Sequence, residues 1–370
     1  MFLKDRLTIY IKPTEQCNLS CVHCYNKHKD NTSVIDIERL RKFVGSMADY
    51  LYKNKKFPEL DIVFHGGEPS LVKVEMLEEI YKIIASRFAH TRTKFSIQTN
   101  LTRLSTELIE FVKNRLGGDI GTSYSPFLRF VGQPETESLW YHNLEVCRQN
   151  NLKVYVVISL SKKYIESTDP SELIDILRSN EISGFHFEPI TKNGSASENW
   201  SEIAADPKAY TEWKADFAKK FIESGAYKEV QESEIVRKAK TFLDGQFVGC
   251  GCRDCMLTVM TINADGTIGI CPNVSKDAVI CNLDDPFERF IESSARSAYI
   301  TSERKRRHEC LNCEYFQQCN GGCMQSPECY EGVEFFKVLE NSMKTNKEFY
   351  KFISEYERNS AYCAGKETNE

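Results

Sequence analysis

The segment CNLSCVHCY, residues 17–25, decides the fold: three residues separate Cys17 from Cys21, and two separate Cys21 from Cys24. Cysteine thiolates are the usual protein ligands of iron–sulfur clusters. The spacing predicts that one short loop holds three corners of a [4Fe–4S] cube and leaves the fourth iron open to a small molecule. A zinc site is the alternative for three cysteines taken alone.

A second motif supports the cluster interpretation. The apolar run Leu7–Ile11 precedes the cysteine loop, and a second strand-like run, Leu60–Phe64, leads into HGGEP at residues 65–69. Gly66 and Gly67 are expected to let backbone approach a ligand closely, because glycine has no Cβ. An ordinary loop after a strand explains the two glycines alone, but it does not explain both motifs in this order.

Together these motifs resemble the radical S-adenosylmethionine (SAM) enzymes, whose signature is CxxxCxxC followed by a GGEP-type loop. The resemblance implies that Cys17, Cys21 and Cys24 hold the cluster and that its open iron chelates SAM. One electron then cleaves SAM, and the 5′-deoxyadenosyl radical abstracts a hydrogen from the substrate. Glu68 is expected to accept a hydrogen bond from the SAM ammonium group, and Tyr25 matches an aromatic that packs near adenine.

Further SAM contacts are expected at strand ends. Arg129 is expected to pair with the SAM carboxylate, with a surface arginine as the alternative. Glu188, which closes the sixth predicted strand, is expected to point into the barrel mouth and meet substrate or cofactor. The strand-end residues could instead cap helices. The implied set of cofactor contacts is Tyr25, Gly66, Gly67, Glu68, Pro69, Gln98, Asn100, Ser123, Arg129 and Glu188.

Strand-like and helical patterns alternate through the first half of the chain. The predicted strands are Leu7–Ile11, Leu60–Phe64, Lys94–Thr99, Asp119–Ser123, Val154–Leu160 and Phe185–Pro189. The predicted helices are Ile37–Lys53, Val72–Phe88, Thr106–Arg115, Ser138–Asn150 and Ser171–Ser179. This alternation predicts an α/β fold with a parallel sheet. The resemblance implies a partial (β/α)6 barrel with the cofactor at the carboxyl ends of the strands.

The pattern changes in the second half. A polar connector is predicted at Thr191–Ser201, followed by helices at about Pro207–Ser224 and Ser233–Leu243. We expect the barrel and its connecting helices to span residues 1–240, a cysteine-rich domain 241–335, and a helix and frayed tail 336–370. Asn263-Ala264-Asp265-Gly266 predicts a hairpin turn.

The later cysteines resemble the SPASM extension, which holds two auxiliary [4Fe–4S] clusters in radical SAM enzymes that modify peptides. Carried over residue by residue, the first auxiliary cluster takes Cys250, Cys255, Cys271 and Cys323, and the second takes Cys310, Cys313, Cys319 and Cys329. Cys252 is the alternative to Cys250, and Cys363 is the alternative to Cys329. Zinc remains an alternative here too. The implied cofactors are therefore SAM and three [4Fe–4S] clusters.

Composition excludes several classes. The net charge of −5 is spread along the chain and predicts no nucleic-acid partner, and no apolar stretch is long enough to span a membrane. The basic run Arg304–His308 is expected to be a solvated helical face, with contact to an acidic partner as the alternative. Fifteen cysteines without a visible secretion signal predict a reducing, cytoplasmic location.

The resulting functional hypothesis is a radical SAM peptide maturase that forms an intramolecular crosslink, either a cyclophane-type carbon–carbon bond or a thioether. The alternatives are sulfatase-type formylglycine generation, peptide epimerisation, dehydrogenation of a small molecule and non-catalytic electron transfer. Formylglycine generation is disfavoured because Pro272 follows Cys271, where the sulfatase-maturing pattern has an aspartate base. The catalytic residues are otherwise unassigned.

The expected partners follow from this hypothesis. They are a precursor peptide and a flavodoxin- or ferredoxin-type reductant. Only sixteen residues precede Cys17, too few for a precursor-recognition domain. The peptide leader is therefore expected to bind the catalytic body, the cluster domain or a separate leader-binding protein.

Overall fold

The computed structural model describes residues 3–26, 31–131, 133–273, 278–326 and 328–357. Its strands are β1 Arg6–Ile11, β2 Glu59–Phe64, β3 Thr93–Ile97, β4 Asp119–Tyr124, β5 Lys153–Ile158, β6 Gly184–Phe187, β7 Glu232–Ser233, β8 Val259–Ile262, β9 Thr267–Gly269 and β10 Cys281–Asn282. They form a six-stranded sheet in the order β10-β9-β8-β1-β2-β3 and a four-stranded sheet in the order β4-β5-β6-β7.

Strands β1 to β6 stand side by side in chain order. Each pairs in parallel with the next within its sheet. The two sheets meet between β3 and β4, where the pairing is reduced to one parallel bridge between Gln98 and Gly121. The predicted α/β fold with a parallel sheet is confirmed, and the carboxyl ends of all six strands lie along one edge.

Helices cover these strands. They are α1 Ile37–Lys53, α2 Val74–Arg87, α3 Thr106–Arg115, α4 Pro134–Gln149, α5 Lys162–Ser167, α6 Pro170–Ser179, α7 Gly194–Ile203, α8 Pro207–Glu223, α9 Glu234–Asp244, α10 Cys255–Thr258, α11 Phe287–Glu292, α12 Ser294–Glu303, α13 Phe316–Cys319, α14 Val333–Thr345 and α15 Lys347–Glu355.

Helix α1 shows how the sequence produces these helices. Its N-cap Asp36 accepts a hydrogen bond from Arg39 N, and Leu40, Phe43, Val44, Met47 and Leu51 form one buried face.

Two sequence expectations are wrong. The polar stretch predicted as a connector at Thr191–Ser201 forms most of α7. Ala196 and Ile203 of this helix are buried against Leu128, so the tertiary contact stabilises a helix that the local composition does not indicate. The basic run after Glu303 is not a helical face, because α12 ends at that residue.

The cysteine-rich region joins the barrel sheet directly. Strands β8 and β9 form the predicted antiparallel hairpin. Strand β8 also pairs in parallel with β1, with Thr8 opposite Val259. The predicted domain limits remain predictions. Cys363 and the tail that follows it lie outside the described residues. Within the described ranges, no helix combines the length and apolar character that crossing a membrane requires.

Candidate active site

The first three cysteines lie in the loop after β1, and backbone amides point at their sulfur atoms. Leu19 N donates to Cys17 Sγ (3.4 Å) and Asn26 N donates to Cys24 Sγ (3.4 Å). Burial, with a smaller contribution from the charge of Cys21, raises the pKa of Cys17 to about 11 and of Cys24 to about 12. A bound metal would favour the thiolate form of these thiols. The clustered thiols and their N–H donors therefore fit an iron–sulfur cluster.

The GGEP loop packs against the segment that leads into Cys17. Gly67 N donates to Thr14 O (3.0 Å), and Glu68 N donates to Gln16 O (2.7 Å). A Cβ on Gly67 would lie 2.0 Å from Gln16 O, so only glycine fits this position. The close approach seen here is to the segment before Cys17, and the predicted approach to a ligand stays a prediction.

Glu68 ties the GGEP loop to the end of β3. Its buried carboxylate accepts hydrogen bonds from Thr99 Oγ1 (2.6 Å), Asn100 N (2.6 Å) and Ser70 N (3.0 Å). A carboxylate has about four acceptor positions, so the predicted contact with SAM would be an additional one. Glu68 therefore has a structural role besides the predicted role in cofactor binding.

The polar residues predicted at strand ends come together at one edge. Gln98 Nε2 donates to Ser123 Oγ (3.2 Å), and Asn100 Nδ2 lies 3.9 Å from Cys17 Sγ. Arg129 is buried, and its guanidinium donates to the carbonyl oxygens of Asn100 and Ser123. Arg129 thus joins the ends of β3 and β4, and its charge acts against the burial that raises the pKa of Cys21.

Tyr25 contacts the GGEP loop through His65. The Tyr25 hydroxyl lies 3.2 Å from His65 Nδ1, which also accepts a hydrogen bond from Gly66 N (2.8 Å). Because Nδ1 accepts from Gly66, the Tyr25 hydroxyl is the donor in the first contact. Burial, then the charges of Cys24 and Cys271 among others, raise the pKa of Tyr25. Tyr25 therefore lies near both the first cysteine loop and a cysteine of the second region.

The structure gathers the four cysteines predicted for the first auxiliary cluster. The Cys250 thiol lies next to those of Cys255 and Cys323, and the interaction with Cys255 contributes most to its raised pKa. Burial raises the pKa of Cys271 to about 12, and the charge of Cys323 contributes. The sulfur of Cys252 lies 3.4 Å from Phe247 O. These observations support Cys250 as the ligand, and the ligand set remains a prediction.

Contacts among the cysteines predicted for the second auxiliary cluster centre on residues 319–322. Burial, then other charges including that of Cys329, raise the pKa of Cys319 to about 12. A Cβ on Gly321 would lie 3.6 Å from Cys310 Sγ, and Cys313 N donates to Cys310 O (3.3 Å). In the described part of the chain, no three His, Cys, Asp or Glu side chains surround a single metal-ion position.

Three groups of supporting residues were missed by the sequence analysis. Ser195 N at the start of α7 donates to Cys24 O (2.9 Å), and Asn199 Nδ2 donates to Val22 O (3.2 Å). Glu303 accepts hydrogen bonds from Cys255 N (2.9 Å) and Met256 N. The local sequence carries no signal for these contacts, because the partners are remote along the chain.

The third group is the basic run itself. Arg307 donates to the carbonyl oxygens of Gly321, Ser326 and Glu328, and Arg306 donates to Asn320 Oδ1 (2.8 Å). Both arginines therefore fix the loop that carries the later cysteines. The expected solvated face is wrong for these two residues.

Glu188 follows directly after β6. Its Oε1 accepts a hydrogen bond from Asn273 Nδ2 (2.6 Å), and its Oε2 lies 3.5 Å from His186 Nε2. Like Tyr25, Glu188 lies near the first auxiliary set, because its charge contributes to the raised pKa of Cys271.

A sequence model of the radical SAM superfamily matches residues 11–167, which carry the first cysteine loop and the GGEP motif. Residues 11–167 form a radical SAM domain. The superfamily implies SAM and a [4Fe–4S] cluster as cofactors, and the residues described above fit both. The predicted resemblance is confirmed at this level.

Two proteins with similar sequences differ in how much of this chain they match. The cysteine-type anaerobic sulfatase-maturating enzyme of Clostridium perfringens strain 13 is 24% identical over 94% of this chain and 96% of its own length. An uncharacterized protein of Methanothermobacter thermautotrophicus is 30% identical over 28% of this chain, and the match spans 37% of that protein.

Two solved structures are similar in fold. Native anSMEcpe with bound AdoMet and the Cp18Cys peptide has a TM-score of 0.74 at 18% identity, covering 95% of this chain and 100% of that one. Streptococcus suis SuiB bound to its precursor peptide SuiA has a TM-score of 0.56 at 16% identity, covering 89% and 75%. At these identities the similarity shows the fold alone.

Proposed function

We propose that this protein is a radical SAM peptide maturase that forms an intramolecular crosslink in a precursor peptide. The cysteine loop at residues 17–25 and the GGEP loop packed against it are together called the SAM loop. The observation that carries the proposal is the gathering of Cys250, Cys255, Cys271 and Cys323, with Cys271 near Tyr25 of the SAM loop. Crosslinking removes two hydrogens from a peptide, so the site needs both a radical and an electron acceptor. Similarity in fold to the peptide-bound anSMEcpe and SuiB structures supports a peptide substrate.

The proposed cofactors are SAM and three [4Fe–4S] clusters. With SAM and a reduced cluster bound, the site supplies a 5′-deoxyadenosyl radical that takes one hydrogen from the peptide. Cys17, Cys21 and Cys24 would hold this cluster, and the two later cysteine sets would hold the auxiliary clusters. Glu68 and Arg129 keep the ends of β2, β3 and β4 in fixed positions, so the cofactor pocket is organised before binding.

Formylglycine generation is the second candidate, because the similarity to the sulfatase-maturating enzyme covers nearly the whole chain. Pro272 is the observation against it, since proline has no group that accepts a proton. Peptide epimerisation and small-molecule dehydrogenation are the remaining alternatives, and no specific observation favours either.

Mass spectrometry separates these candidates. Reduced, cluster-reconstituted enzyme is incubated with SAM and, separately, with synthetic copies of short peptides encoded beside its gene and with a sulfatase-type cysteine peptide. A crosslink gives a product about two mass units lighter, with both hydrogens lost, and one 5′-deoxyadenosine formed per product. Formylglycine formation shows loss of the cysteine sulfur, and epimerisation leaves the mass unchanged. A sulfur-free linear product would refute the crosslink.

A further inference from the structure

A small polar group lies at the carboxyl end of β6. Glu188 Oε1 accepts a 2.6 Å hydrogen bond from Asn273 Nδ2, while Oε2 is 3.5 Å from His186 Nε2. The side chains of His186 and Glu188 are 35% and 30% exposed. They are therefore held in position yet open to a ligand, unlike the buried carboxylates around them.

This group lies between the two cysteine regions. Asn193 Nδ2 donates to Asn273 O (2.7 Å), and Ser195 N, two residues further on, donates to Cys24 O (2.9 Å). On the other side, Asn273 is two residues from Cys271. The charge of Glu188 reaches Cys250, Cys271 and Cys323, where it contributes to raising each pKa. A peptide between the SAM loop and the first auxiliary set would therefore meet Glu188.

Two other carboxylates, those of Glu68 and Glu303, each accept at least two hydrogen bonds from the protein. Glu68 accepts from Thr99, Asn100 and Ser70. Glu303 accepts from the backbone amides of Cys255 and Met256. Both have a structural task and are buried. Glu188 combines a fixed orientation with partial exposure.

We propose that Glu188 is the catalytic base, which accepts the proton released when the crosslink closes, and that Asn273 positions its carboxylate. This inference rests on the proposed function. With SAM and a reduced cluster bound, the site would supply the radical that removes one hydrogen atom from a peptide carbon. That carbon would then bond to a second peptide atom, whose hydrogen would leave as a proton to Glu188. The remaining electron would pass to a one-electron acceptor of the iron–sulfur class.

The test uses Glu188→Gln, which keeps the size of the side chain and the acceptor oxygen for Asn273 but removes the base. Glu188→Asp keeps a carboxylate, and Glu202→Gln changes an exposed residue of α7 as a matched control. The probe is a synthetic peptide that the wild type converts in the assay above, deuterated at the attacked carbon. Iron content of each holoenzyme confirms that the clusters are intact.

In Glu188→Gln we expect deuterium still to enter 5′-deoxyadenosine while crosslinked product falls about a hundredfold, the usual effect of losing a general base. A peptide-centred radical should then accumulate in the electron paramagnetic resonance spectrum. Glu188→Asp should recover part of the product, and Glu202→Gln should match the wild type.

The alternative outcomes are distinct. Unchanged crosslinking by Glu188→Gln would overturn the base assignment and leave the proposed function intact. Equal loss of deuterium transfer and crosslinking, with normal iron content, would also overturn it, because hydrogen abstraction precedes the proton transfer. If the wild type modifies none of the peptides, the proposed function fails and the base assignment fails with it.

Discussion

Single residues around the SAM loop have two tasks, and Glu68 is the main example. Its carboxylate holds Thr99, Asn100 and Ser70, so Glu68→Ala leaves buried donors without an acceptor at a cost of about 1–3 kcal/mol. We expect weaker SAM binding with near-normal iron content, measured by calorimetric titration. SAM affinity equal to that of the wild type would show that Glu68 does not organise the cofactor pocket.

Gly67 gives a second test at the residue scale. A Cβ here would lie 2.0 Å from Gln16 O, so Gly67→Ala must move the GGEP loop away from the cysteine loop. We expect loss of SAM cleavage and lower occupancy of the first cluster. Gly45→Ala is the matched control, because its Cβ would have no neighbour nearer than 3.9 Å, within helix α1. Wild-type SAM cleavage by Gly67→Ala would contradict the packing described.

At the scale of elements, buried charges connect α8, α9 and the segment before α14. Lys214 Nζ contacts Glu234 (2.8 Å) and Glu331 (3.4 Å), and Lys238 Nζ contacts Glu331 (3.0 Å). Glu234 Oε2 also accepts from Phe187 N (2.9 Å), next to Glu188. The network therefore fixes the end of β6.

We expect Glu234→Gln to lower the free energy of unfolding by about 3 kcal/mol, because it leaves a buried charge undercompensated. Burial acts to raise the pKa of Glu234, but the Lys214 and Lys238 charges outweigh it and lower the pKa. This stabilisation is therefore fully present above the ordinary glutamate pKa of about 4.3 and is lost only as the pH falls further.

Urea unfolding followed by tryptophan fluorescence checks this prediction. The difference between the wild type and Glu234→Gln should be the same at pH 7 and pH 5, and exposed Glu223→Gln should show no comparable loss. A difference that shrank over this interval would mean that the pKa of Glu234 is not lowered.

The elements also show what the sequence could predict. Alternating apolar patterns identified β1 to β6 and helices such as α1 and α3, because local periodicity reports a buried face. Helix α7 was missed because its stability comes from contacts with the cysteine loop and Leu128. The pairing of β8 with β1 was missed because such register is set by remote partners. Short α5 was also missed.

At the candidate site, the motifs with fixed spacing were predictable from the sequence. The hydrogen bonds that hold them in place from residues far away in sequence were not. Cys17, Cys21, Cys24 and the GGEP loop follow from a local signature. The roles of Arg307 and Glu303 depend on backbone groups that fold against them from other segments. Glu188 was placed at a strand end correctly, but its partner Asn273 is 85 residues away along the chain.

At the scale of the whole molecule, one continuous sheet carries two kinds of cysteine site. Strand β1 leads into the SAM loop, and its neighbour β8 is flanked by Cys255 and, through β9, Cys271. The first cysteine loop and the cysteines proposed for the first auxiliary cluster are therefore held relative to each other by strand pairing rather than by a flexible linker. This arrangement suits a reaction that needs both sites in one catalytic cycle.

The most direct test of this account is iron content together with SAM cleavage in a Cys17→Ala/Cys21→Ala/Cys24→Ala variant. Anaerobically reconstituted wild type should hold about twelve iron atoms as three cubes, and the variant about eight, with no 5′-deoxyadenosine formed. Cys147→Ala, which changes a buried cysteine of α4 outside all three sets, should retain both. A triple variant that still cleaves SAM, or a wild type with only four iron atoms, would contradict the account.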